Sequence, residues 1–282
     1  MNAVEREMVE VLLDLKDNYY VEGIKAEFEA EGTRLEEAMR LKDVLSAAGL
    51  GLTLKLGGCE AVRDMYEARV LGVSRIVAPM IESPFALKKF LNAASLAFSE
   101  DEREHVKFAV NIETQTAVNV IDEIFALPEI KELDGVVIGR TDLCLSKGMS
   151  KDEINSDIIF GITRGILAKA KELGLETAVG GGVSAHSLPF FRNLPEGYLD
   201  RYETRKVIYT CPHAFGDQAE QAILKGLYFE LLWLKNKRDF YGMIHNEDVA
   251  RIRVLESRYK NRMENCGILE RCSDVWQVKS PT

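Results

Sequence analysis

Between residues 23 and 210 the chain repeats one unit, a short apolar segment followed by a longer amphipathic one. Residues 23–32 (GIKAEFEAEG) read as a strand and 34–49 as a helix ending on Gly49. LTLKLGG (52–58) and EAVRDMYEARVLG (60–72) repeat the pair. VSRIVAPMI (73–81) precedes a helix in SPFALKKFLNAASLAF, and VKFAVNIET (106–114) precedes one in TAVNVIDEIFALPEI. DGVVIG (134–139) leads to a long helix within KDEINSDIIFGITRGILAKAKELG. LETAVGGGVS (175–184) and DRYETRKVIYT (200–210) bring the strands to seven. The helical stretches keep 3.6-type apolar spacing and end on glycine stops. Strands joined through helices must run parallel. With no linker or break in composition, the expected fold is α/β: a (β/α)8 TIM barrel with additional C-terminal helices. An open doubly wound sheet is the competing architecture. It calls for a glycine-rich turn after the first strand, which GIKAEFEAEG lacks. The eighth strand is expected to be short and to lie near residues 10–22. The barrel then occupies 1–214, and 215–282 form a helical extension packed on it or on a neighbouring subunit.

Charge narrows the partners. The 282 residues carry a net charge of −9, which disfavours a nucleic-acid groove or an acidic membrane surface. Five cysteines (Cys59, Cys144, Cys211, Cys266 and Cys272) show no C-x-x-C spacing, so neither a disulfide framework nor a zinc knuckle is expected. The N-terminal stretch has no signal-type apolar core, and no segment approaches the ~20 apolar residues of a membrane span. A cytoplasmic protein with no membrane partner is the expectation.

Side chains alternate across a strand, and the outer face of a barrel strand packs on helices. Ile24, Ala26 and Phe28 should therefore face out, and Lys25, Glu27 and Glu29 inward. The same rule points Thr53 and Lys55 inward, with Asn111 and Glu113. Buried charge must be neutralised, by ion pairs such as Lys25–Glu27 or Glu203–Arg205, or by a metal or ligand. Glu113 and Asp142 both follow apolar runs, at the C-terminal ends of consecutive strands, where barrel enzymes place their chemistry. Two neighbouring carboxylates repel, and a divalent cation turns that repulsion into binding. Oxygen donors without histidine suit Mg2+ or Mn2+. The glycine cluster at 180–184, with Gly181 inside it, either cradles an anion or simply allows a tight turn. In RYETRK (201–206), Arg205 is placed in the site and Lys206 outside it. His186 is expected to be a loop residue, and Cys59 and Cys144 packing residues.

Two stretches, APMIES (78–83) and NIETQTAVNVIDEIFALPEIKELDGVVIGRTDLCLSKG (111–148), resemble the HpcH/HpaI aldolase and citrate lyase β-subunit superfamily. The resemblance runs from about residue 20 to 210. It implies a modified (β/α)8 barrel whose divalent metal is held by Glu113 and Asp142. The implied chemistry is that of a class II-type aldolase. A carbon–carbon bond to a pyruvate-like 2-oxo acid is cleaved or formed through an enolate, with an aldehyde or acyl partner. Backbone around Gly139 and Thr141 would hold the substrate carboxylate. Lys55 stands where relatives carry an arginine, and Arg140, where relatives often have proline, would supply a guanidinium; the alternative is that Arg140 lies in a surface loop. The acid/base histidine of relatives is absent after Glu27 and Glu29, so one of these carboxylates or a metal-bound water would take that role. Alternative functions are citrate-lyase-like acyl or thioester cleavage, or a metal- or ligand-binding barrel without catalysis. A homo-oligomer is implied by the resemblance alone.

Overall fold

The computed structural model describes residues 1–266 and closes eight strands into one barrel in chain order. The strands are β1 (Val21–Glu27), β2 (Gly51–Lys55), β3 (Arg75–Ala78), β4 (Lys107–Ile112), β5 (Gly135–Gly139), β6 (Glu176–Gly180), β7 (Arg201–Glu203) and β8 (Val207–Thr210). The helices of the first half are α1 (Ala3–Tyr19), α2 (Leu35–Ala48), α3 (Val62–Leu71), α4 (Pro84–Ala97) and the single turn α5 (Glu100–Arg103). After β4 come α6 (Gln115–Asn119) and α7 (Ile121–Phe125). The second half adds α8 (Arg140–Ser146), α9 (Asp157–Glu172), α10 (Leu188–Arg192) and α11 (Ala219–Cys266).

Local chemistry sets most boundaries. Asn2 caps α1 in a reciprocal box with Glu5, Ser83 caps α4 ahead of Pro84, and Ser156 caps α9. Gly49 and Gly72 end α2 and α3 in the left-handed region. The outward faces of the strands are apolar as expected: Ile24, Ala26, Leu52, Leu54, Val110 and Ile112 are fully buried against the helices. Inside the barrel, Val77, Ala109, Val137 and Ala178 form a small apolar layer of their own.

Three expectations need correcting. The eighth strand does not lie at 10–22, which is helix α1 up to Tyr19. It comes from 200–210, which folds back on itself as the hairpin β7–β8. Its turn is closed by Thr204 N–H on the Val207 carbonyl (3.0 Å), and Val207 N–H donates to Thr204 Oγ1 (3.0 Å). Strand β8 therefore runs antiparallel to both β7 and β1, and the barrel is not wholly parallel. The expected helix after β4 is interrupted at Val120, which separates α6 from α7. Because β8 ends beside the start of β1, α11 begins at the floor of the barrel and climbs. Tyr209 Oη donates to the Ala222 carbonyl near that floor, and the Trp233 ring lies 5.9 Å from Lys206 Nζ at the hairpin turn.

Two compact units divide at Trp233, inside α11; the second begins at Leu234. No helix among the described residues is long and apolar enough to cross a membrane. The reading of the terminal stretch ENCGILERCSDVWQVKSPT falls, from residue 267 on, outside the described residues.

The floor of the barrel is closed by ions. Arg75 donates to Glu22 (3.1 Å) and Glu176 (3.0 Å), Arg201 donates to Glu176 (2.6 Å), and Lys107 also pairs with Glu176. Arg201 thus belongs to the end opposite the Asp142 side. Burial opposes ionisation of Glu176, but Lys107, Arg201 and Arg75 outweigh it and hold its carboxyl down at about 2. A carboxyl depressed on folding stabilises above its unfolded pKa and loses that contribution as pH falls towards the folded one. Glu176→Gln leaves two buried guanidinium groups short of a counter-charge. It is expected to cost about 2–3 kcal/mol at pH 7, less than for a fully buried pair because Glu176 is partly exposed. The penalty should shrink between about pH 4.5 and pH 2, which urea midpoints of both proteins at pH 7 and pH 3 would check.

Candidate active site

At the C-terminal ends of the parallel strands lies a cavity of about 520 Å³, lined by Lys25, Glu27, Lys55, Asn111, Glu113, Gly139, Thr141, Asp142, Gly181, Glu203 and Arg205, among others. Of the residues singled out from sequence, Glu29 and Arg140 are missing from this lining.

Glu113 is part of this lining. Strand β4 ends at Ile112, and Thr114 caps α6 by accepting the N–H of Ala117, so Glu113 is fixed between a strand end and a helix start. Its carboxylate is 1% exposed and takes three donors. Oε2 accepts from Asn111 Nδ2 (2.8 Å) and Lys55 Nζ (3.2 Å), and Oε1 from Met80 N–H (3.1 Å). Met80 reaches it with φ +50°, a left-handed conformation unusual for a side-chain-bearing residue. Gly139, on the neighbouring strand, is glycine for a steric reason: a Cβ there would lie 2.5 Å from Glu113 Oε2 and 2.7 Å from its Cβ.

Lys55 also contacts Glu29 (2.7 Å). Burial works against its ammonium, but Glu113, Glu29 and Glu27 outweigh burial and raise its pKa. It is a fixed positive charge. Glu113 shares that charge with Glu29 and lies deeper, and burial pushes its carboxyl up, with the Asp142 charge adding to the shift. A second chain of ions runs beside the first, with Lys25 Nζ 3.1 Å from Glu27 and 3.3 Å from Glu203. Burial resists ionisation of Glu27, yet Lys25, Lys55 and Arg205 hold its pKa below the usual range. Arg205 is half exposed at the rim, 3.9 Å from Glu27 and 3.7 Å from Glu31. Lys206 is buried against Glu31, outside the cavity lining. The suggested Glu203–Arg205 pair is replaced by Glu203–Lys25, because the turn after β7 carries the two side chains apart.

Arg140 is neither a loop residue nor an arm into the cavity. It opens α8 and is fully buried, its side chain turned towards the glycine turn after β6. Nε donates to the Gly180 carbonyl (3.1 Å), Nη2 to the Gly181 carbonyl (3.0 Å) and Nη1 to Asn155 Oδ1 (2.7 Å). Its guanidinium carbon lies 4.8 Å from the Phe190 ring centre and 5.1 Å from that of Phe191. Burial, with no facing carboxylate, lowers its pKa to about 10. The guanidinium expected beside the substrate is thus spent on bracing the wall. Gly181 (φ +81°) packs where a Cβ would come within 2.5 Å of Thr141 N and 2.8 Å of Arg140 N. His186 is exposed and does not line the cavity.

The donor set fits a hard divalent cation. Among the described residues no three His, Cys, Asp or Glu side chains form a metal cluster. Two carboxylates, Glu113 and Asp142, do meet closely enough to interact. Among the described residues the Asp142 carboxylate makes no hydrogen bond or ion pair, and Glu113 Oε1 accepts only one N–H. Water and substrate oxygens would complete such a shell. The cavity wall also carries more negative than positive charge, with Glu27, Glu113, Asp142, Glu203 and Glu230 against Lys25, Lys55, Lys151 and Arg205. Glu230 and Leu227, contributed by α11, have no motif that would single them out from sequence.

Residues 58–182 match the profile of the HpcH/HpaI aldolase/citrate lyase family. A search of curated protein sequences gives no match. Among solved structures, the HpcH/HpaI aldolase from Desulfitobacterium hafniense DCB-2 is similar at 13% identity and TM-score 0.58, over 70% of this chain and 81% of that one. The citrate synthase SbnG is similar at 16% identity and TM-score 0.55, over 82% and 90%. A HpcH/HpaI aldolase/citrate lyase family protein from Burkholderia cenocepacia J2315 gives 15% identity and TM-score 0.53, over 69% and 92%. At these identities the structural likeness speaks for the fold, while the 58–182 match ties the segment holding Glu113, Gly139 and Asp142 to a family of aldolase and citrate-lyase-type enzymes. Over that segment, and in the fold of the barrel around it, the chain is similar to the HpcH/HpaI aldolase/citrate lyase family.

Proposed function

We propose that this protein is a divalent-metal-dependent carbon–carbon lyase acting on a pyruvate-like 2-oxo acid, with an aldehyde or acyl partner. The observation that carries the reading is the convergence of Glu113, Asp142 and the charged Lys55 at the C-terminal ends of β2, β4 and β5. Glu113 and Asp142 would hold Mg2+ or Mn2+. When bound, such an ion supplies Lewis-acid stabilisation of negative charge developing on a substrate oxygen. Lys55 adds a second positive charge, pre-oriented by Glu29 and Glu113, that costs no reorganisation during reaction. A lysine offers a point charge rather than a planar fork, so it stabilises the oxygen without dictating its orientation. Orientation falls to Gly139 and the first turn of α8, and to Arg205 at the rim. With five carboxylates in the cavity wall against four cationic side chains, a bound cation would ease the entry of an anionic acid, which supports metal dependence. A homo-oligomer belongs to the same reading, supported by the exposed Leu224 and Leu231 on α11.

Pyruvate incubated with the protein in D2O, with Mg2+ or Mn2+, should lose its methyl proton signal in the NMR spectrum. Without metal it should keep it. Glu113→Gln and Asp142→Asn should each slow the exchange about 100-fold or more. Metal and pyruvate bound together without exchange would overturn the reading.

A further inference from the structure

Enolisation needs a base, and among the described residues no histidine lines the cavity. We propose that Glu203 is the proton-transfer carboxylate of this site, accepting through Oε1 a proton from the carbon next to the carbonyl of the bound 2-oxo acid. This rests on the reading above and supplies the group that reading lacks.

The argument is one of elimination and placement. A carboxylate oxygen that already accepts strong hydrogen bonds is a poor base, so the base needs a free lone pair facing the substrate space. Glu113 takes three donors. Glu27 lies between Lys25 and Arg205, and Glu29 pairs with Lys55 while lying outside the cavity lining. Asp142 stands beside Glu113 as the second carboxylate for the cation. Glu230 lies only partly buried on α11. Glu203 ends β7 at the mouth side, is 2% exposed and lines the cavity. Its Oε1 is buried and has no hydrogen-bond partner among the described residues. Its Oε2 is held by Lys25 Nζ at 3.3 Å, so the carboxylate cannot turn its free oxygen away without breaking that pair. A buried acceptor left unsatisfied is costly and marks a functional place when it persists. Lys25 is the positioning residue: it anchors one oxygen and leaves the other open.

The step balances without an added reactant. The C–H bond breaks, and its proton passes to Glu203 Oε1. The bonding pair becomes the carbon–carbon double bond of the enolate, and the negative charge moves to the carbonyl oxygen on the Lys55 side. Returning the proton restores the 2-oxo acid. In the cleavage direction, protonated Glu203 supplies that carbon with its proton after the carbon–carbon bond has broken.

The test measures pyruvate affinity and methyl H/D exchange side by side, on the full chain with Mn2+, for wild type, Glu203→Gln and Glu203→Asp. Expected for Glu203→Gln is pyruvate affinity within about threefold of wild type, with exchange slowed about 100-fold or more. Glu203→Asp keeps the carboxylate but withdraws it by one methylene, and should bind normally and exchange at an intermediate rate. Exchange in Glu203→Gln within about threefold of wild type would overturn the assignment while leaving the enolising site standing. A wild type that binds pyruvate but does not exchange would overturn both. If Glu203→Gln fails to fold, Glu203→Asp decides: exchange slowed tenfold or more at normal affinity supports the role, and unchanged exchange overturns it.

Discussion

Arg140→Ala should lower the stability of the barrel by about 4 kcal/mol, one of the larger costs open to a single substitution here. Its guanidinium satisfies the Gly180 and Gly181 carbonyls and Asn155, and reaches Ser187 Oγ at 3.3 Å. Alanine leaves two inward-facing carbonyls unmet, at about 1–3 kcal/mol each, and opens a void between Phe190 and Phe191. Removing a desolvated cation offsets part of that cost, since Arg140 has no carboxylate across from it. Arg140→Lys should not rescue, because an ammonium cannot reproduce the fork that meets both carbonyls. Urea unfolding of the three proteins measures the effect, and a loss below 1 kcal/mol for alanine would contradict it. Methyl exchange by the folded variants separates this wall-bracing role from a catalytic one. Per folded molecule, exchange should fall far less than in Glu113→Gln.

Gly181→Ala should be comparably severe, and for a different reason. The backbone there is left-handed (φ +81°), which costs an alanine about 1–2 kcal/mol. The added methyl would also meet the amide nitrogens of Arg140 and Thr141 at 2.8 and 2.5 Å, and backbone atoms cannot swing aside as a side chain can. Overpacking of this kind adds about 1–3 kcal/mol, so a total near 3–4 is expected. Gly148 is the built-in comparison, because its φ is +72° but nothing lies within 4 Å of an added Cβ. Gly148→Ala should show the conformational cost alone, about 1–2 kcal/mol. The difference between the two denaturation midpoints then reads the contact between the β6 turn and the start of α8, the helix that carries Asp142. Equal losses at the two positions would mean that this contact is soft.

The parts of the site legible in the sequence were those governed by strand alternation. In β1, β2 and β4 the apolar parity fixed the outward face, and Lys25, Glu27, Lys55, Asn111 and Glu113 were left pointing inward, as they do. Alternation stops where a strand stops, and the misreadings begin there. Arg140 follows the last residue of β5 but is already helical, so its direction obeys the helix rather than the strand. The 200–210 stretch reads as one strand because its turn, Thr204–Arg205–Lys206, contains no glycine, proline or asparagine. The bend is closed locally by the Thr204–Val207 hydrogen bonds and pinned against β1 by a long-range one, Lys25 N–H to the Lys206 carbonyl at 2.7 Å. Glu203 was visible only as a possible partner of Arg205, and its unshared oxygen was not visible at all, because which cation serves which carboxylate depends on that same turn. Leu227 and Glu230 enter the wall from a helix that no local pattern connects with it.

The reversed last strand changes how this protein can evolve. In an ordinary barrel of this class the rim is made of loops, which absorb insertions and deletions with little loss. Here part of the rim is a helical face, because α11 starts at the floor and brings Leu227 and Glu230 up to the cavity within its first dozen residues. One residue gained or lost between Ala219 and Leu227 would rotate both side chains by about 100° around the helix axis. It would also carry Gly226 away from Tyr209, where an added Cβ would come within 2.3 Å of Tyr209 Oη. This edge of the cavity can therefore be tuned by substitution but not by length. Relatives that keep the reversed strand should vary in the residues at 227 and 230 while preserving the spacing from the floor to the rim.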